Sequence, residues 1–120
     1  KLLETHKKEG RFATVTSVIP PGRFGALSLK GSQVTKMIEK PEGDGQRING
    51  GYFVLTQEVF KFIKSDSTIW EQEPLMDLAD MNQLTAYEHN GFWQPMDTIR
   101  DKNTLELLWK SKKSPWKIWI

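Results

Sequence analysis

An aspartate at position 97 follows the apolar, aromatic run Phe92-Trp93-Gln94-Pro95-Met96 and precedes a helix-start pattern. Thr98 and Asp101 fit a capping box, and Leu105, Leu108 and Trp109 continue at helical spacing. The aromatic run reads as a short buried strand, so Asp97 is expected at a strand-to-helix junction. A carboxylate fixed there, if it faces a cleft, can ligate a hard divalent cation such as magnesium. The alternative is that Asp97 only caps the helix and satisfies backbone N–H groups.

Three further places combine a constrained backbone with polar groups. Pro20-Pro21-Gly22-Arg23-Phe24-Gly25 is a stiff turn that presents an arginine, suited to phosphate or carboxylate, and a glycine that lets a ligand reach backbone N–H groups. It is equally an ordinary hairpin connection. Glu39-Lys40-Pro41 pairs a carboxylate that can accept from sugar hydroxyls with a lysine that can neutralise a phosphate. Adjacent strand residues face opposite ways, so one ligand could use both only where the strand ends or bulges, and Pro41 supplies such a break. The alternative is an exposed charge pair worth little. Asn49-Gly50-Gly51-Tyr52-Phe53 offers an amide and a glycine pair that permits close approach, which suits a neutral hydroxylated ligand. A glycine packed against a bulky neighbour explains it as well.

The elements that must hold these groups are legible in outline. Lys1 to Gly10 reads as a helix tail stopped by glycine, and Phe12 to Ile19 as a β-branched strand broken by Pro20-Pro21-Gly22. Gly25–Lys30 and Gln33–Glu39 form an expected hairpin around Gly31-Ser32. Ile48 to Thr56 reads as a buried strand. Gln57 to Lys64 reads as a short helix with Val59, Phe60 and Ile63 inward. Thr68 and Glu71 form a second capping-box pattern, and Pro74 suits the first turn of a helix carrying Leu75, Leu78 and Ala79. Leu84 to His89 and Phe92 to Met96 are expected strands, and a last helix runs from Ile99 to about Lys112. The tail Pro115-Trp116-Lys117-Ile118-Trp119-Ile120 is too aromatic for a solvated terminus and is expected to dock on this chain or a neighbour.

Composition narrows the function classes. The 120 residues suffice for one modest domain, and 38% hydrophobic against 27% charged residues is globular rather than disordered. A net charge of +2 is too small and too evenly mixed to argue for nucleic acid. The absence of cysteine removes disulfides and thiolate metal sites, and His6 and His89 have no ligand spacing for zinc. No stretch approaches the ~20 apolar residues of a membrane helix, so a cytoplasmic location with no membrane partner is the expectation.

Taken in order, Glu39-Lys40-Pro41, Asn49-Gly50-Gly51-Tyr52-Phe53 and Met96-Asp97-Thr98 resemble the second half of the sugar-1-phosphate nucleotidyltransferases. Pro20 to Leu27, Trp70-Glu71-Gln72-Glu73-Pro74-Leu75 and Gly91 to Pro95 look more specifically like the branch of that family that takes CTP and glucose 1-phosphate. The resemblance spans nearly the whole chain. It implies an α/β chain, the C-terminal half of a Rossmann-like nucleotidyltransferase fold, with a mixed, mostly antiparallel sheet and flanking helices. It further implies magnesium-assisted transfer of a cytidylyl group to the sugar phosphate, giving CDP-glucose and diphosphate for polysaccharide synthesis. By the same resemblance Asp97 looks like one of two magnesium-binding aspartates and Lys40 like the lysine on the sugar phosphate. Glu39 looks like the carboxylate on the sugar hydroxyls, Gly25 like a backbone contact to the sugar, and Asn49 and Gly50 like part of the sugar pocket wall. Arg23 is a substrate-binding candidate that could instead order its loop.

The family's glycine-rich phosphate loop and its partner aspartate are not among these residues. The chain is therefore expected to be a single partial domain, the sugar-phosphate half without the nucleotide half, inactive alone and prone to form a homo-oligomer through uncovered apolar surface. The same chemistry with another nucleotide or sugar, and a non-enzymatic carbohydrate-binding or assembly domain, are the competing expectations.

Overall fold

The computed structural model describes residues 1–23, 25–39 and 45–119. In chain order the elements are α1 (Leu2–Glu9), β1 (Ala13–Val18), β2 (Gly25–Lys30), β3 (Gln33–Glu39), β4 (Ile48–Leu55), a 3-10 helix (Gln57–Phe62), α2 (Glu73–Asp80), β5 (Leu84–Glu88) and α3 (Ile99–Lys110). They divide into two units. The first is Lys1–Val18 with Ile48–His89, and the second holds the remaining described residues.

In the first unit β1 is the centre of a three-stranded mixed sheet, antiparallel to β4 on one side and parallel to β5 on the other. A central strand is covered on both faces, so Ala13, Thr14, Thr16, Ser17 and Val18 are all buried. Buried hydroxyls need partners. Thr14 finds one in His6 of α1, with Oγ1 2.9 Å from Nδ1, and this bond ties the helix to the sheet. Ala13, Val59 and Leu78 form the core, with Phe12, Phe62, Trp70, Leu75 and Leu84 packed around them. Full burial of a side chain such as Val59 or Leu78 contributes about 1.5–3 kcal/mol.

Several local expectations do not hold here. The Ile48–Leu55 strand is not buried along its length: Gly50 is, whereas Ile48, Tyr52 and Leu55 are exposed. It is an edge strand, and its pairing with β1 shifts register between Val15 and Ser17. The Gln57 segment is a 3-10 helix, whose tighter turn buries Val59 but leaves Phe60 and Ile63 exposed. Ala79 of α2 is exposed as well, and the Thr68/Glu71 capping box does not form, because α2 starts only at Glu73.

In the second unit β2 and β3 form the expected antiparallel hairpin, with Gly25 opposite Glu39, Leu27 opposite Met37 and a register shift after Ser28. Gly31 at its turn has φ +61°, the left-handed conformation that the Gly-Ser turn requires. α3 opens on a complete capping box from Thr98 and Asp101, and turns Asp101, Leu105 and Leu108 to its covered side. The expected strand over Phe92–Met96 is absent. This stretch is irregular backbone with Trp93, Gln94 and Pro95 half-buried, since Pro95 lacks the N–H a ladder needs. The aromatic tail docks in part: Trp116 lies on Phe92, ring centroids 5.5 Å apart, while Ile118 and Trp119 stay exposed.

Candidate functional site

The polar geometry of the second unit converges on the start of α3. Thr98 is the N-cap, extended at φ −126° and ψ 162°, and its Oγ1 accepts from the Asp101 N–H at 3.1 Å. The Asp101 carboxylate reciprocates by accepting from the Thr98 N–H at 3.2 Å. Asp101 is only 7% exposed, and the same carboxylate accepts from the Asp97 N–H at 3.2 Å and from Nε2 of Gln94 at 3.2 Å. Arg23, reaching in from the Pro20-Pro21-Gly22 turn, donates from Nη2 at 3.3 Å and forms an ion pair there. Burial pushes the Asp101 carboxyl up, but the hydrogen bonds from Thr98 and the Asp97 N–H, with the Arg23 charge, outweigh it and hold the group below the usual carboxylate range.

Capping is thus carried by Thr98 and Asp101, and Asp97 is left over. Its side chain is exposed, and no described side chain hydrogen-bonds its carboxylate. The N-cap of α3 is thus Thr98 rather than Asp97, and among the described residues no side chain holds the Asp97 carboxylate. At the start of α3 lies a cleft of about 430 Å³ lined by the Pro21-Gly22-Arg23 turn and by Gln94, Thr98, Arg100, Asp101 and Thr104; Asp97 precedes Thr98 but is not part of that lining. A cleft of mixed polar and apolar lining with Arg23 and Arg100 at its wall can accept an anionic, hydroxylated ligand.

The other sequence candidates distribute as follows. Arg23 and Gly25 belong to the second unit with Asp97, as does Glu39, whose backbone pairs with Gly25. Lys40 lies outside the described residues. Asn49 and Gly50 belong to the first unit. There the Asn49 side chain accepts from the Gly51 N–H at 2.8 Å, and Gly51 has φ +83°, so the amide braces the irregular stretch of β4. A Cβ on Gly50 would meet the Thr16 carbonyl oxygen and Val18 Cγ1 at 3.0 Å each, so close packing on β1 accounts for that glycine without a ligand. Asp101 is the residue the sequence undervalued. The capping-box pattern identified it as a cap, but its partner Arg23 lies 78 positions away, beyond any local signal.

The model of a nucleotidyl transferase family matches residues 1–106. The chain belongs to that family. The nucleotidyl transferase relatives include glucose-1-phosphate cytidylyltransferase of Salmonella typhimurium, 56% identical over 117 residues, which cover 98% of this chain and 46% of the relative. Mannose-1-phosphate guanyltransferase of Aspergillus fumigatus is 35% identical over 107 residues, 84% of this chain and 29% of the relative. The chain spans about half the length, or less, of the relatives it matches. Among solved structures, one named for a glucose-1-phosphate thymidylyltransferase of Bacillus anthracis superposes with a TM-score of 0.57 at 19% identity, over 88% of this chain and 46% of that one. That likeness carries the fold: the mixed sheet and helices are those of an α/β, Rossmann-like nucleotidyltransferase. Among the described residues no helix is long and apolar enough to cross a membrane.

Proposed function

We propose that these residues form the sugar-phosphate half of a glucose-1-phosphate cytidylyltransferase, which transfers a cytidylyl group from CTP to glucose 1-phosphate and releases diphosphate. The observation that carries this reading is the Asp97 carboxylate, held at the start of α3 yet relieved of capping by Thr98 and Asp101. The 56% identity to the Salmonella enzyme over nearly the whole chain supports the choice of nucleotide and sugar.

Magnesium fits this arrangement. Among the described residues no three His, Cys, Asp or Glu side chains gather as an all-protein metal cage. Magnesium at phosphate sites needs only one or two carboxylates, with substrate phosphates and water completing its shell. Asp97 would be one such ligand, and the bound ion would offset charge on the phosphates. The remaining work is binding and orientation. Lys40 neutralises the sugar phosphate, Glu39 accepts from sugar hydroxyls and Gly25 offers its backbone to the sugar. Asn49 and Gly50, in the first unit, are sugar-contact candidates beside their structural roles in β4, and Arg23 both orders its loop and faces the anionic substrate. In this reading the complete enzyme is cytoplasmic and homo-oligomeric and serves polysaccharide synthesis. The 120 residues alone form no CDP-glucose.

The test is product formation by the complete enzyme with magnesium and paired substrates. CDP-glucose from CTP and glucose 1-phosphate is expected to dominate over the products of dTTP, UTP, or GTP with mannose 1-phosphate. Preference for any of those pairs would overturn the assignment of specificity, and no transfer with any pair would overturn the activity itself.

A further inference from the structure

Four donors converge on Asp101, more than a helix cap needs. Oδ2 accepts from the Thr98 N–H, which closes the capping box, and additionally from the Asp97 N–H at 3.2 Å and Arg23 Nη2 at 3.3 Å. Oδ1 accepts from Gln94 Nε2 at 3.2 Å. Each carboxylate oxygen offers about two lone-pair directions, so Oδ2 with three donors is fully committed while Oδ1 takes one. Its donors come from two separate stretches of chain: the loop carrying Asp97, and the turn that leads into Gly25.

We propose that Asp101 is a positioning residue for nucleotidyl transfer, its buried carboxylate fixing the main chain at Asp97 while fastening the Arg23 turn to the same anchor. The proposal rests on the reading of Asp97 as a magnesium ligand and Gly25 as a sugar contact. The physical reason lies in the contrast between the two acids. The exposed Asp97 side chain has no described side-chain partner, so what the fold fixes is its main chain, which sets the direction of the Cα–Cβ bond from which the carboxylate reaches. Asp101 holds the peptide N–H of that residue. A metal ligand is only as well oriented as the groups behind it, and loss of such outer partners costs about 10–100-fold in metal affinity or activity. The Arg23 bond has a parallel effect. Gly25 begins β2 only two residues after Arg23, so fixing the guanidinium limits where the hairpin starts.

Two substitutions separate positioning from capping. Asp101→Asn is nearly isosteric but replaces one acceptor oxygen with an NH₂ that faces donors. Asp101→Glu retains the residue type that best completes a capping box, so α3 keeps its cap while the carboxyl moves by one methylene and cannot hold all four donors. In the complete enzyme, Mn²⁺–CTP affinity is read by water-proton relaxation, beside steady-state kinetics and amide exchange at Asp97. Both variants are expected to weaken Mn²⁺–CTP about 10–100-fold, to lower kcat, to raise KM for glucose 1-phosphate and to speed exchange of the Asp97 amide. Asp101→Glu should do so at a near wild-type Tm. Wild-type metal affinity and kinetics in Asp101→Glu would overturn the proposal and leave Asp101 as a cap, and that variant decides the matter if Asp101→Asn does not fold. Asp97→Asn is the control: if it retains wild-type Mn²⁺–CTP affinity, the reading of Asp97 fails and the proposal falls with it. If Asp97→Asn loses affinity while both Asp101 variants keep it, only the positioning claim fails.

Discussion

Thr68-x-x-Glu71 and Thr98-x-x-Asp101 carry the same helix-start pattern, yet only the second begins a helix. At Thr98 the box is complete, with both side chains accepting from each other's backbone N–H. At Thr68 the hydroxyl instead accepts from the Ser65 N–H behind it, at 3.1 Å, and the chain makes two turns before α2 starts at Glu73. Proline decides between them. A helix begun at Thr68 would place Pro74 in its interior, where the missing N–H and the ring clash cost about 3 kcal/mol. Starting at Glu73 puts Pro74 in the first turn, where it is tolerated. No proline follows Thr98 until Pro115, so the pattern there acts as written. The cap at α3 also leaves the Asp97 carboxylate out: Thr98 and Asp101, one and four positions further on, complete it without that side chain.

The contrast between the capping pair and the spare acid can be broken at several points. The largest effect is expected from Asp97→Asn. In the complete enzyme it should lower kcat/KM by about 100-fold or more, on the order of 2.7 kcal/mol of transition-state stabilisation. Its unfolding free energy should change by less than about 0.5 kcal/mol, because the side chain is exposed. Steady-state assay beside thermal melting checks both halves. Thr98→Ala should reverse that profile in stability, costing about 1 kcal/mol for the lost N-cap. Thr68→Ala, which removes only a turn bond, should cost about half as much or less, and paired denaturant titrations would compare the two. Equal losses would mean that the second pattern does not act as a stronger cap.

The smallest effect concerns pH. The folded Asp101 carboxyl sits below its ordinary value, so its contribution to stability is complete above about pH 4, the usual aspartate range, and is lost as pH falls through the lower folded value. Asp101→Asn should flatten that acid limb in melts taken between about pH 2 and 5. An unchanged limb would assign it to other carboxyls.

How far the sequence revealed the molecule depended on whether the deciding partner was local. The β2–β3 hairpin emerged with its expected boundaries, because alternation and the Gly31-Ser32 turn fix it within a dozen residues. The α3 start was legible for the same reason. The nature of β4 was not, since an apolar composition does not tell an edge strand from a buried one, and β4 is covered mainly where Gly50 packs on β1. Phe92–Met96 has a strand-like composition without a strand, because pairing requires a partner ladder that composition cannot supply. At the candidate site, the position of Asp97 just ahead of the α3 cap was legible for the same local reason. The anchoring of Arg23 on Asp101 joins positions far apart in sequence and became visible only in the fold.

The most direct test of the free-carboxylate account is a crystal structure of the complete enzyme with Mn²⁺ and CTP, phased for the manganese anomalous signal. The account predicts a peak about 2.0–2.2 Å from an Asp97 carboxylate oxygen, with Asp101 still bonded to Thr98 and Arg23. A manganese peak elsewhere, with the Asp97 carboxylate turned to solvent or spent on backbone N–H groups, would contradict it.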